Sequence, residues 1–135
     1  MKNAALVGSM GLYAVCYELA RRGWNVMPTS RNARGVDILG YSQNGQRRIL
    51  IQVKALSKRN PVPLGGDKEL CNLMLADFVV IVTNARIAPE FYIAKTAEVK
   101  ANFHVGIKNG KESCWLQPGQ YAGFKNKWDT IGEGW

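Results

Sequence analysis

A chain of 135 residues is long enough for one domain with its own hydrophobic core. Its 47% apolar and 21% charged residues are ordinary for a soluble globular protein, and no internal repeat or low-complexity segment is present, so residues 1–135 are expected to form a single domain. The net charge of +8 sits entirely in the first half: residues 1–60 carry ten basic side chains against Glu18 and Asp37 alone, whereas residues 61–135 carry eight basic and eight acidic ones. Clustered Arg and Lys suit an anionic partner, nucleic acid above all, because neutralising phosphates releases counterions. No apolar run has the length needed to span a bilayer. The run after Lys2 lacks an A-x-A site and continues into ELARRG, so it is expected to be a helix and not a leader. The three cysteines, Cys16, Cys71 and Cys114, are odd in number and have no metal-ligand spacing, which is expected of reduced thiols in a cytoplasmic protein. The single histidine, His104, cannot build a metal cluster.

In chain order, residues 3–22 predict a helix. Leu12, Val15, Cys16 and Leu19 form its buried stripe, Gly23 ends it, and Gly8 and Gly11 imply close backbone approach or a late start. Strands are expected at 24–30, 36–42 and 47–57, with an Asn-Gly hairpin turn at 43–46. The stretch 58–66 reads as a Pro/Gly loop, Asp67 as the cap of a helix to about residue 76, 78–83 as a buried strand, 91–94 as a short strand, and Thr96 as the opening of another helix. Tyr121, Phe124, Trp128 and Ile131 are spaced as one packing face of a C-terminal helix. A helix, three strands, a helix and a strand predict an α/β domain with an αβββαβ core, its mixed central sheet flanked by helices.

The strands 36–42 and 47–57 carry polar residues where a sheet favours apolar ones. Strand alternation puts Gln52 and Lys54 on one face and Ile49, Ile51, Val53 and Ala55 on the other. Pairing through the 43–46 turn brings Asp37 toward Gln52. Asp37 can then offer an anionic oxygen, Gln52 a neutral one and Val53 its carbonyl, which are the hard ligands that Mg²⁺ takes together with water. Such a metal polarises a phosphate and acidifies water. Lys54 can steady the developing charge, and Glu18 on the helix can bind the metal through water or act as a base. Plainer readings exist for each residue. Glu18 can pair with Arg22 one turn on, Asp37 can cap the 30–35 loop, and Gln52 and Lys54 can sit on a solvated face.

Taken together, Glu18 in YELARRGW, Asp37 in PTSRNARGVDILG, and Gln52 and Lys54 in ILIQVKA resemble the PD-(D/E)XK nuclease superfamily over residues 8–56. The pattern looks most like archaeal-type Holliday junction resolvases and modification-dependent restriction endonucleases. That resemblance implies a restriction-endonuclease-like fold, Mg²⁺ or Mn²⁺ as cofactor, catalytic roles for Glu18, Asp37, Gln52 and Lys54, and DNA as substrate, with RNA as an alternative. The loop before the aspartate usually approaches the DNA backbone in the family, which assigns Ser30, Arg31 and Arg34 to phosphates. Lys58 and Arg59 flank the same site, and Arg47 and Arg48 are assigned to solvent. Gln52 departs from the usual carboxylate, as in certain restriction endonucleases, and brings one negative charge fewer. The expected function is a Mg²⁺-dependent endonuclease, working as a homodimer where two strands are cut. The alternatives are a nuclease fold kept only for nucleic-acid binding or assembly, and an RNA-cleaving toxin domain.

Overall fold

The computed structural model describes residues 3–30 and 33–135. Helix α1 (Ala4–Ala20) is capped by the Asn3 side chain, which accepts the Leu6 N–H at 3.1 Å. Gly11, Val15 and Leu19 form its buried stripe. The glycine is required there, since a Cβ at Gly11 would lie 2.4 Å from the Ala55 Cβ on the sheet beneath. Gly11→Ala is therefore expected to lower unfolding stability by about 1–3 kcal/mol in urea titration, in spite of alanine's better helix propensity. The chain reverses through Gly23, whose φ of +94° favours glycine.

Strands β1 (Asn25–Pro28), β2 (Ile38–Tyr41) and β3 (Arg48–Ala55) form an antiparallel meander. The turn between β2 and β3 falls where Asn44-Gly45 predicts it, with Gly45 at φ +70° and Ser42 N–H bonded to the Arg47 carbonyl at 2.9 Å. After β4 (Val62–Gly65) and the short helix α2 (Lys68–Asn72), β5 (Phe78–Thr83) returns parallel to β3, and β6 (Glu90–Lys95) closes the sheet in the order β1-β2-β3-β5-β6. The α/β architecture with a mixed sheet flanked by helices thus stands as the pattern predicts.

Beyond β6, α3 (Thr96–Asn102) leads into the hairpin β7 (His104–Lys108) and β8 (Lys111–Leu116), followed by α4 (Pro118–Tyr121) and two 3₁₀ turns at Ala122–Phe124 and Trp128–Thr130. Three expectations change here. The Pro/Gly stretch 58–66 contains β4, because Val62 and Pro63 pair with Leu116 and Trp115 of β8 in a second sheet, β4-β8-β7. Pro63 fits at that edge, where its missing N–H costs no ladder bond. The helix after Asp67 ends at Asn72, not at about residue 76. The C-terminal aromatic stripe is not one helix. Tyr121, Trp128 and Ile131 are buried, but they are delivered by separate short turns that follow the surface of the larger sheet.

Both faces of the five-stranded sheet are covered. On one, Val15, Leu19, Trp24 and Trp128 pack with Ile38, Ile49, Ile51, Val80 and Val82. On the other, Val79, Ile81, Tyr92 and Ala94 pack with Val62, Val99, Leu116 and Tyr121. The C-terminal tail crosses the far end of the hairpin. Arg47 stacks 4.9 Å over Trp24 and donates to the Glu133 carbonyl, so it belongs to this tail junction and not simply to solvent.

Candidate functional site

The β2–β3 ladder ends at Ile38 and Ile51, and the way it ends creates the site. Ile51 is paired with Ile38, yet its carbonyl accepts the N–H of Asp37, one residue earlier, at 2.8 Å. This one-residue step is a bulge, a device that re-aims side chains at sheet edges. It turns the Asp37 carboxylate onto the next rung, where Oδ2 accepts the Val53 N–H at 2.7 Å. Among the described residues, the Asp37 side chain bonds Val53 and caps nothing in the preceding loop. Backbone groups alternate along a strand, so the Val53 carbonyl faces the same open edge as its N–H, past the end of β2. One carboxylate oxygen and one main-chain carbonyl are thus presented side by side.

Gln52 and Lys54 lie on the β3 face that looks toward α2 and β4. Gln52 opens on a cleft of about 340 Å³ with Arg34, Gly35, Leu64 and the α2 side. Its Oε1 is buried and has no hydrogen-bond donor among the described residues. Such orphaned oxygens are rare in folded proteins because each forfeits its hydration without replacement. The Lys54 ammonium is pulled two ways. Burial pushes its pKa down, while the nearby Asp37 carboxylate and the Cys71 thiol on α2 pull it back up.

On its other side, Asp37 opens with Val53 on a cleft walled by Ala5, Gly8, Ser9 and Leu12 of α1. No carboxylate stands on this wall. Glu18 lies six residues beyond Leu12, roughly 9 Å along the helix axis, and it is engaged elsewhere: Oε1 accepts Arg22 Nη1 at 2.8 Å and lies 3.5 Å from Arg21 Nη1. It opens on a separate cleft with Trp128 and Glu133, and Arg22 stacks on Trp128 at 4.5 Å. Asp37 and Val53 line one cleft, Gln52 lines another on the opposite face of β3, Lys54 lies within electrostatic reach of Asp37, and Glu18 is paired with Arg22.

Among the residues assigned to phosphates, Ser30 and Arg34 are exposed, and Arg34 stands at the Gln52 cleft. Arg31 lies outside the described residues. Lys58 is exposed at a different cleft beside the start of α1. Arg59 is tied to the C-terminal segment: Nη2 donates to the Pro118 carbonyl at 3.2 Å, and the guanidinium lies 5.8 Å from the Tyr121 ring. Sequence reasoning missed the α1 wall of Gly8 and Ser9, whose only signal was a glycine placed on the stripe that meets β3, and the nearness of Cys71 to Lys54.

The donor set bears on a metal. Among the described residues no three His, Cys, Asp or Glu side chains gather. A carboxylate oxygen left free by the Val53 bond, a main-chain carbonyl and an amide oxygen without a donor are the hard, mostly neutral oxygens that Mg²⁺ accepts alongside water. Asp37 and the Val53 carbonyl fit one anionic and one neutral ligand of such an ion, whereas Gln52 opens on the other cleft.

The same architecture occurs in a nuclease. The chain is similar to the solved structure of a bacterial homing endonuclease, I-Ssp6803I, with a TM-score of 0.63 over 97% of this chain and 92% of that one, at 18% sequence identity. At that identity the likeness shows a shared fold. No protein-family model matches the chain, and no curated protein matches it. Among the described residues no helix is long and apolar enough to cross a membrane.

Proposed function

We propose that this protein is a Mg²⁺- or Mn²⁺-dependent endonuclease of PD-(D/E)XK type, hydrolysing DNA phosphodiester bonds at Asp37, Gln52 and Lys54. The observation that carries the reading is the bulged end of the β2–β3 ladder, where Asp37 bonds Val53 N–H between Gln52, with its unpartnered oxygen, and Lys54, with its desolvated ammonium. The fold shared with a homing endonuclease supports it.

Asp37 and the Val53 carbonyl are the groups that would hold the ion, which supplies Lewis-acid polarisation of a phosphate and a more acidic water. The chain's own part is positioning. The Val53 amide fixes the Asp37 carboxylate in one orientation. Lys54 brings a positive charge, short of solvent and only partly offset by Asp37, to the place where negative charge develops on the phosphate. Arg34, at the Gln52 cleft, is placed to hold the flanking backbone. Cutting both strands of a duplex needs two such sites, hence a homodimer.

Supercoiled plasmid incubated with the wild type should be nicked in Mg²⁺ or Mn²⁺ and remain intact in chelator. Absence of metal-dependent cleavage on plasmid, branched DNA and structured RNA alike would leave only a binding or assembly role, and cleavage confined to RNA would select the toxin reading. Glu18→Gln should leave nicking unchanged within about twofold while lowering stability by about 0.5–1 kcal/mol, as for other partly exposed ion pairs. A large loss of nicking without loss of stability would return Glu18 to the site.

A further inference from the structure

The parallel strands β3 and β5 both end beside the candidate site, and ligands of open α/β sheets gather outside such carboxyl ends. A cleft of about 540 Å³ opens there, with Ser57 and Lys58 following β3, Asn84 and Arg86 following β5, and Asn3 at the start of α1. We propose that this cleft holds the DNA backbone leading away from the scissile phosphate, with Lys58 and Arg86 as its phosphate-binding cations. The proposal rests on the nuclease reading above and adds the path of the strand.

Four observations support it. Lys58 and Arg86 are both exposed, and among the described residues neither is in an ion pair, unlike Arg22 and Lys125. Among the described residues no acidic side chain lines the cleft. Neighbouring stripes of α1 face the two clefts: Asn3, Leu6, Val7 and Met10 face this one, and Ala5, Gly8, Ser9 and Leu12 face Asp37. The chain has no acidic residue before Glu18, so a strand crossing this ridge meets no negative side chain on the helix, and a Cβ at Gly8 would meet nothing within 4 Å. The ridge is therefore low, uncharged and next to the positive end of a 17-residue helix.

The spacing sets a range. Lys58 is four residues past Lys54, at most roughly 13 Å at strand rise. That span is about four base-pair steps of 3.4 Å along the duplex axis, so the phosphates contacted lie within about four nucleotides of the cut.

The experiment is fluorescence anisotropy with a labelled DNA duplex in chelator, so that nothing is cut, across 50–200 mM salt. Each phosphate contact adds about 0.9 to the slope of log affinity against log salt, so the K58A/R86A double variant should lose about 1.8 from the slope. It should melt with the wild type, because both side chains are exposed. A K108A/K111A variant on the distant β7–β8 hairpin should keep the slope. Neutral methylphosphonate linkages within four nucleotides of the cut should weaken the wild type more than the double variant. If the wild type binds duplex and K58A/R86A keeps its slope, the cleft proposal fails while the nuclease reading stands. If the wild type binds no duplex at any salt, the cleft proposal fails, and the nicking assay alone decides the nuclease reading.

Discussion

Asp37→Asn is expected to cut DNA at least about 10³-fold more slowly than the wild type while keeping most of its stability. Such a rate loss corresponds to about 4 kcal/mol of lost transition-state stabilisation. The two effects separate because Asp37 has two jobs. As an acceptor it completes the β2–β3 ladder through Val53 N–H at 2.7 Å, and an asparagine oxygen can accept the same bond. As an anion it is the one charged oxygen in the donor set, and asparagine removes that charge. Asp37→Ala removes both. It should match the Asn variant in nicking and, in addition, lose about 1.5–3 kcal/mol of stability through the stranded Val53 amide. An Asn variant that nicks within tenfold of the wild type would remove Asp37 from the chemistry and leave it as a ladder end.

Lys54→Met should abolish cleavage and yet stabilise the protein at neutral pH. Methionine keeps the apolar stem in place and deletes an ammonium that burial disfavours more than Asp37 and Cys71 favour it. Because the folded-state pKa lies below the ordinary 10.5, the unfolded chain holds that proton more tightly. The wild type therefore gains stability as pH rises from the lowered folded value toward 10.5, and its full penalty is felt below that window. The melting temperature of Lys54→Met should exceed the wild type's by about 2 °C or more at pH 7, and the gap should close as pH approaches 10.5. Thermal melts of both proteins at pH 7 and pH 10, paired with nicking assays, measure it. A Met variant that is less stable at pH 7 would mean that Lys54 is a structural cation. Stability given up at a charged, desolvated residue is the usual mark of a functional site.

Much of the fold was legible because local chemistry and tertiary structure agree in it. The 3,4 spacing of Leu12, Val15 and Leu19, the Asn44-Gly45 turn and the unbroken FVVIVT run each admit one kind of element, and the sheet uses all three as expected. The second sheet was not legible. Val62 and Pro63 are too short a run, in too proline-rich a setting, to read as a strand, and they become one only because β8 lies alongside. The Tyr121-to-Ile131 spacing misled in a related way. Burial of the right side chains was foreseen, but short turns can bury them as well as one helix does, and periodicity reports the burial alone.

The site divides along the same line. Sequence by itself determined that Gln52 and Lys54 share a face, since strand period permits nothing else, and that the positive charge excess sits in the first half. It also left two partners open for Glu18, the site and Arg22. Tertiary structure alone places Glu18 against Arg22 and away from the Asp37 cleft, because its position on α1 depends on how that helix crosses β3, where Gly11 meets Ala55. It alone decided that Asp37 turns onto Val53, because a bulge depends on where a ladder stops and no residue type encodes that locally. And it alone brought Arg86, from a loop 28 residues beyond Lys58, to the same cleft, because parallel strands end side by side however far apart they lie in the chain.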